Sequence, residues 1–274
     1  MMTSTGEYFL GIDVGSVSIN TVVMSHHHDI LEDHYTRTHG QPLPTTYRVL
    51  QEIISRIPLS KIGGISLTGG GGKLLAELLE APFENEIISQ SKSIEHLYPQ
   101  VRTIVEMGGE DSKLITLDCE EQSQKIKISD FTMNSICAAG TGSFLDQQAH
   151  RLGLTVEEFG KLALQSKNPP RIAGRCSVFA KTDMIHLQQV ATPDYDIVAG
   201  LCRAVARNFK STLGKGKAFE KPVSFQGGVA ANLGMRKAFR EVLSLSENEL
   251  IIPQRFASMG AIGALLLFLE DSSR

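Results

Sequence analysis

The chain has 274 residues, the size of one large domain or of two smaller ones. Its hydrophobic fraction of 42% and charged fraction of 21% are those of a globular protein, which excludes a disordered chain and a coiled coil. The net charge of −3 argues against a protein that coats nucleic acid, so we expect no nucleic-acid partner.

The sequence shows no pattern typical of a membrane or exported protein. The longest apolar run, Met259–Leu269, is too short for a bilayer span, which needs about 20 residues. The first residues lack the basic region and apolar core of a signal peptide. Four cysteines do not make a disulfide scaffold in a chain of this length. We therefore expect a cytoplasmic protein that makes no contact with a membrane.

The first predicted element is a β-hairpin over residues 8–24. A strand ends in Asp13, Gly15 opens a tight turn, and a second strand follows. The same pattern returns over residues 103–117, where Glu106 and Gly108 align with Asp13 and Gly15 without a gap. Each hairpin places a carboxylate at a strand end and frees backbone N–H groups in the turn.

A strand, a glycine turn and a helix also follow one another twice, over residues 64–80 and 222–242. Internal duplication of this kind predicts a two-lobed α/β protein. We place the N-terminal lobe at residues 1–100 and the C-terminal lobe at residues 101–274. The second half is longer because it carries an insertion at about residues 134–200.

Two carboxylate-bearing glycine hairpins suit a metal-bound polyphosphate. Turn N–H groups donate to phosphate oxygens, and carboxylates hold Mg²⁺, usually through water. Gly227-Gly228 at a helix start would admit a ribose or adenine against bare backbone, with Asn232 one turn further on. Neither a P-loop nor a dinucleotide fingerprint accounts for the glycines. The alternative is a pair of ordinary hairpin turns with surface acids.

Two cysteines in the insertion each precede a predicted helix. Cys137 precedes a helix that opens near Gly142 and stops at Gly153, and Cys176 precedes one that extends to about Val190. A helix N-terminus lowers the pKa of a thiol, which favours the thiolate that a metal site needs. The alternative is a pair of small buried hydrophobic side chains.

A cubane iron–sulfur cluster needs four thiolates. The chain has no C-x-x-C pair, Cys119 lies in a predicted polar turn, and Cys202 lies in a helical stretch where we expect burial. If Cys137 and Cys176 are the ligands, one chain supplies two thiolates and a two-fold dimer supplies four. The count then predicts a cluster on the dimer axis.

At this point the sequence resembles a known family, the activators (component A) of 2-hydroxyacyl-CoA dehydratases and the related ATP-binding subunits of benzoyl-CoA reductase. The resemblance covers about residues 8–270. It rests on the motifs GIDVGS at 11–16, EMGGEDSK at 106–113, CAAGTGSFLD at 137–146, GRCSVFAKTD at 174–183 and QGGVAAN at 226–232. It implies a duplicated ribonuclease H-like fold of the acetate/sugar kinase, chaperone and actin type, with ATP bound between the lobes.

The resemblance also implies a homodimer with one bridging [4Fe–4S] cluster held by Cys137 and Cys176. ATP hydrolysis would drive a low-potential electron from the cluster to an acceptor metalloprotein of the dehydratase or reductase type, and a ferredoxin or flavodoxin would be the donor. Asp13 and Glu106 match the acidic positions near Mg²⁺ and the attacking water, and Glu110 joins them as catalytic. The ATP-binding set is Gly15, Ser16, Ser18, Asn20, Gly108, Gly109, Lys113, Gly227, Gly228 and Asn232.

The chain departs from the family pattern at four positions. The family often has Lys where Asn20 stands, Asp where Glu106 stands, Gln where Glu110 stands and Glu where Lys181 stands. Two other functions fit the same nucleotide motifs. A small-molecule kinase would need an acceptor pocket with a catalytic base and would not need the cysteines. A nucleotide sensor would bind ATP without turning it over.

Overall fold

A computed structural model describes residues 6–120, 126–134, 140–174 and 176–272. Cys137 lies outside the described residues. The strands are β1 (Tyr8–Val14), β2 (Ser18–Ser25), β3 (Ile30–Arg37), β4 (Ile62–Thr68), β5 (Thr103–Met107), β6 (Ser112–Cys119), β7 (Ile126–Asn134), β8 (Val223–Gln226) and β9 (Leu250–Ile251). The helices are α1 (Pro42–Arg56), α2 (Gly72–Leu79), α3 (Glu86–Leu97), α4 (Gly142–Arg151), α5 (Val156–Ala163), α6 (Ser177–Gln189), α7 (Asp194–Thr212), α8 (Leu233–Val242) and α9 (Met259–Ser272).

The chain forms two compact units. The first comprises the described residues of Met1–Pro99, Cys119–Ile128 and Ala257–Arg274, and the second those of Gln100–Asp118 and Ser129–Phe256. Each unit is built around its own mixed β-sheet.

The sheet of the first unit has the strand order β3-β2-β1-β4. The central strand β1 pairs antiparallel with β2 and parallel with β4. Side chains alternate between the two faces of a strand, so Leu10, Ile12 and Val14 share one face. Ile12 and Val14 belong to one apolar cluster and Leu10 to a second. The opposite face of β1 carries Gly11 and Asp13.

The other sheet has the order β7-β6-β5-β8-β9. Its strand β5 repeats the relations of β1, because it pairs antiparallel with β6 and parallel with β8. A large apolar cluster packs against it and includes Phe144, Phe209 and Phe225. The duplication predicted from the sequence is therefore present in the sheet topology.

Helix α9 packs within the first unit, although the division at residue 100 expected from the sequence counts it with the second half. The reason is close packing of α9 on β1, β4 and α3. The Phe268 ring lies 6.1 Å from that of Phe9, and a side chain at Gly64 would collide with it. No helix in the described part of the chain is long and apolar enough to cross a membrane.

Two local expectations differ from the structure. Residues Gly228–Ala231 form a 3-10 turn, and α8 begins only at Leu233 because the Asn232 side chain caps it by accepting a hydrogen bond from the backbone of Met235. Cys119 is the last residue of β6 rather than part of a turn.

Candidate nucleotide-binding site

The first hairpin places a carboxylate beside a tight turn. The Gly15 N–H donates to the Ser18 carbonyl at 2.9 Å, which closes the turn between β1 and β2. The strand register sets Asp13 directly opposite Asn20 in β2 and opposite Thr68 in β4. The Asp13 side chain is half-buried at the end of β1.

The second hairpin has the same construction. The Gly108 N–H donates to the Asp111 carbonyl at 3.0 Å. Glu106 lies opposite Lys113 in β6 and opposite Gln226 in β8. The two units therefore present a carboxylate at equivalent positions of equivalent strands.

A glycine with positive φ packs against each carboxylate. Gly69 follows β4 with φ +90°, and a Cβ there would lie 2.5 Å from Asp13 Oδ1. Gly227 follows β8 with φ +87°, and a Cβ there would lie 2.5 Å from Glu106 Oε1. Both the backbone conformation and the close approach require glycine at these positions. Gly227 is a predicted nucleotide-binding residue, whereas Gly69, its counterpart in the repeat, is not in the predicted set.

Gly227→Ala is expected to destabilise the second unit by about 3 kcal/mol, because it combines a strained backbone with a collision. Gly216→Ala is the matched control. Gly216 also has positive φ, +74°, but nothing lies within 4 Å of its Cβ position. The control is expected to lose only about 1 kcal/mol. Calorimetric unfolding of both variants measures the difference, and equal losses would contradict the close packing of Gly227 on Glu106.

Lys113 forms a buried double ion pair in the second unit. Its Nζ lies 3.1 Å from Glu106 Oε2 and 2.7 Å from Asp111 Oδ2. The side chains of Lys113 and Glu106 are only 4% and 7% exposed. Asp111 was not among the predicted site residues; it directly precedes β6, whose first residue is Ser112. Lys113 thus holds two carboxylates of its own chain.

Asn20 occupies the equivalent position in the first unit but makes no such pair. The residue is 7% exposed, and its Oδ1 has no hydrogen-bond partner. A buried amide oxygen without a partner is uncommon in folded proteins and calls for a ligand or an ordered water.

The Gly227-Gly228 turn leads into the cap of α8. The Asn232 Oδ1 accepts from the Met235 N–H at 3.0 Å, while its Nδ2 is buried without a partner. Gly160 on α5 packs so closely that a Cβ there would lie 2.9 Å from Asn232 Oδ1. The Asn232 side chain is therefore a structural cap that keeps one donor group unsatisfied.

Helix α4 begins on the turn of the second hairpin. The Gly142 N–H donates to Gly108 O at 2.9 Å, and the Ser143 N–H donates to Gly109 O at 2.8 Å. These bonds satisfy two of the donors that every helix leaves open at its N-terminus. The Ser112 hydroxyl also donates to Gly140 O at 2.6 Å. The proposed phosphate turn is therefore bonded to the helix that follows the Cys137 segment.

The predicted bounds of the two cysteine-associated helices agree with the structure. Helix α4 starts at Gly142 and ends before Gly153, and α6 runs from Ser177 to Gln189. Cys176 is the N-cap residue of α6 and is half-buried. A partly accessible thiol at a helix N-terminus fits a thiolate ligand.

The other two cysteines differ in burial. Burial raises the pKa of the Cys202 thiol to about 12, so it remains protonated and unreactive, as expected for a core residue. Cys119 is half-buried at the end of β6. Among the described residues no group of three or more His, Cys, Asp or Glu side chains is arranged to hold a metal ion.

The remaining predicted site residues lie in or near the two turns. Ser16 and Glu110 are exposed, and Ser18 is half-buried at the start of β2. Gly109 lies beside Gly142, since a Cβ at Gly142 would approach the Gly109 Cα to 3.4 Å. The two turns therefore carry exposed and partly exposed residues beside the strand ends that bear Asp13 and Glu106.

A duplicated sheet with a carboxylate and a glycine turn in each copy defines the ribonuclease H-like class, the acetate/sugar kinase, chaperone and actin fold. The model of the BadF/BadG/BcrA/BcrD ATPase family matches residues 10–267, and the chain belongs to this family. The resemblance inferred from the sequence motifs is thereby confirmed.

Several characterised proteins are similar over almost their whole length. The activator of lactoyl-CoA dehydratase from Anaerotignum propionicum is 32% identical over 97% of this chain and 99% of its own. The 2-hydroxyisocaproyl-CoA dehydratase activator of Clostridioides difficile is 31% identical over 97% of this chain and 96% of its own. A structure of the activator of the 2-hydroxyisocaproyl-CoA dehydratase from Clostridium difficile with bound ADPNP superposes with a TM-score of 0.86, at 28% identity, over 97% of this chain and 96% of that chain.

Proposed function

We propose that this protein is an ATP-dependent activator that delivers a low-potential electron to a partner of the 2-hydroxyacyl-CoA dehydratase or benzoyl-CoA reductase type. One observation carries the proposal. The first N–H groups of α4 are bonded to the carbonyl oxygens of Gly108 and Gly109, so a phosphate on that turn acts directly on the helix beyond the Cys137 segment. Similarity to dehydratase activators, one of them solved with ADPNP, supports the same function.

In the proposed nucleotide site, backbone N–H groups of both turns donate to the phosphates of ATP. Asp13 and Glu106 hold Mg²⁺ through water and orient the attacking water, with Glu110 beside them. The half-buried Asp13 and the buried Glu106 fit this role because burial strengthens their field on a bound cation. Asn232 and the Gly227-Gly228 turn take the adenosine side.

The proposed redox centre is a [4Fe–4S] cluster, which supplies a one-electron carrier when bound. Cys137 and Cys176 would hold it, two thiolates from each subunit of a homodimer. The position of Cys176 at the N-terminus of α6 supports its part in this proposal, because the helix dipole favours the thiolate. Cys202 is unsuited because its thiol is buried and protonated.

The proposed partners are soluble redox proteins of the cytoplasm. A ferredoxin or flavodoxin gives up one electron, and the acceptor metalloprotein gains it. In this proposal the protein's own residues bind ATP and couple its binding at the Gly108-Gly109 turn to the position of α4. They also position the cysteine thiolates that ligate the cluster.

Anaerobic purification followed by iron, sulfide and ADP assays tests the function. An activator contains iron and acid-labile sulfide and forms ADP from ATP with no small-molecule acceptor added. A protein without iron that forms ADP only when an acceptor alcohol or acid is present would be a kinase. A protein that binds ATP and forms no ADP under either condition would be a sensor.

Cys176→Ser and Cys137→Ser are each expected to abolish iron binding, since either leaves only two thiolates in a dimer. Cys119→Ser and Cys202→Ala serve as controls and should retain the iron content of the unaltered protein. Iron is measured per protein chain after reconstitution under argon, and the fold is checked by circular dichroism. Full iron loading of the Cys137 or Cys176 variant would disprove the assignment of that ligand.

A further inference from the structure

The two hairpins differ at one equivalent position. In the second unit the residue opposite the strand-end carboxylate is Lys113, whose ammonium lies 3.1 Å from Glu106. In the first unit the residue opposite Asp13 is Asn20. An amide is shorter than a lysine side chain and carries no charge. Asn20 therefore does not supply the first hairpin with the ammonium that Lys113 supplies to the second.

The Asn20 side chain carries a buried and unsatisfied acceptor. It is more than nine-tenths buried, and its Oδ1 accepts no hydrogen bond. Leaving such an oxygen unsatisfied is energetically unfavourable. Directly opposed residues in antiparallel strands have Cβ atoms about 5 Å apart, so Asn20 and Asp13 are close neighbours. An amide oxygen and a carboxylate at this spacing can both act as ligands of one cation.

The surroundings hold Asp13 in place near this oxygen. Gly69 packs against Asp13 Oδ1, and a Cβ at Gly260 of α9 would collide with Oδ2. The amide nitrogen of Gln90 lies on the same side, 3.2 Å from that Cβ position. Arg37 of β3 is exposed and pairs in register with Ser18, two positions from Asn20. The β3 residue directly opposite Asn20 is the uncharged Tyr35.

We propose that Asn20 and Asp13 form a binding site for a monovalent cation of the potassium or ammonium type. The cation takes the place that the Lys113 ammonium occupies in the second unit. The proposal rests on the proposed function, because phosphate oxygens of ATP at the first turn complete the ligand shell.

The chemistry of the site favours a monovalent cation over a second Mg²⁺. The Lys113 ammonium, which the cation mimics, carries a single charge and donates hydrogen bonds to several oxygens without strict geometry. Potassium likewise exchanges its water for carbonyl oxygens. Mg²⁺ demands near-octahedral geometry and keeps most of its water, which a buried amide oxygen does not accommodate.

The test measures ATP hydrolysis and ADPNP binding by the intact protein at saturating Mg²⁺. Potassium or ammonium chloride replaces choline chloride at constant ionic strength. We expect a saturable increase in hydrolysis and in ADPNP affinity of at least tenfold. Asn20→Lys should hydrolyse ATP equally well in choline and in potassium, because it supplies its own ammonium. Asn20→Leu should be slow in both salts.

Thr21→Val is the matched control. Thr21 is the next residue on β2, is 2% exposed and also has an unpartnered oxygen, but it points to the other face of the sheet. This variant should keep the full potassium response. Loss of the response in Thr21→Val, or equal hydrolysis by the unaltered protein in choline and potassium, would overturn the proposal. Absence of ATP binding in every salt would instead overturn the proposed function.

Discussion

Asp13→Asn and Glu106→Gln are each expected to lower ATP hydrolysis by about 10²- to 10⁴-fold. Each substitution keeps the size of the side chain and removes one negative charge from a strand end beside a phosphate turn. In the proposed site, loss of that charge would weaken the hold on Mg²⁺ and remove the group that orients the attacking water. The rate of ADP formation at saturating Mg²⁺-ATP measures the effect.

Asp118→Asn is the control for these two variants. Asp118 lies on β6, like Lys113, but it is exposed and outside the turn. It should hydrolyse ATP at the rate of the unaltered protein. If Asp13→Asn and Glu106→Gln both stay within about threefold of that rate, the hairpins are not the hydrolytic site.

Lys113→Met is expected to destabilise the second unit by about 3–5 kcal/mol. The substitution removes the ammonium from a pair that is almost wholly buried and leaves the Glu106 carboxylate without its counter-charge. Calorimetric unfolding measures the loss. Adding Glu106→Gln to the same chain should recover much of it, because the neutral amide removes the uncompensated charge.

An exposed ion pair provides the comparison. Lys127 lies 3.0 Å from Glu120, but their side chains are 64% and 45% exposed. Lys127→Met should therefore change stability by less than about 1 kcal/mol. If Lys113→Met lost no more stability than Lys127→Met, the buried ion pair would contribute no more than the exposed one.

Local patterns were sufficient to predict much of this protein. Glycines and strand-end acids gave both hairpins, and Gly142 and Gly153 gave the ends of α4, because turn and cap chemistry depends on adjacent residues. The family motifs predicted the duplicated fold, and the sheet topology confirms it. The potential capping role of Asn232 was visible only once the 3-10 turn before it was known.

Other features depend on residues distant in the chain. The packing of α9 beside β1 brings Gly260 to Asp13 across almost the whole sequence, and no local pattern encodes that approach. The burial of Lys113 was also missed, because a lysine in a glycine-rich motif is as consistent with a phosphate ligand as with an internal counter-charge. The strand register and the ion-pair distances show the counter-charge role, and the phosphate contact stays a prediction.

The hydrogen bonds from Gly142 and Ser143 to the Gly108-Gly109 turn have a thermodynamic consequence. Coupling between two binding events is reciprocal. If ATP binds this turn as proposed, a partner that docks on the segment before α4 would change the affinity for ATP by the same factor by which ATP changes the affinity for the partner. The strength of nucleotide binding would then report whether the partner is docked.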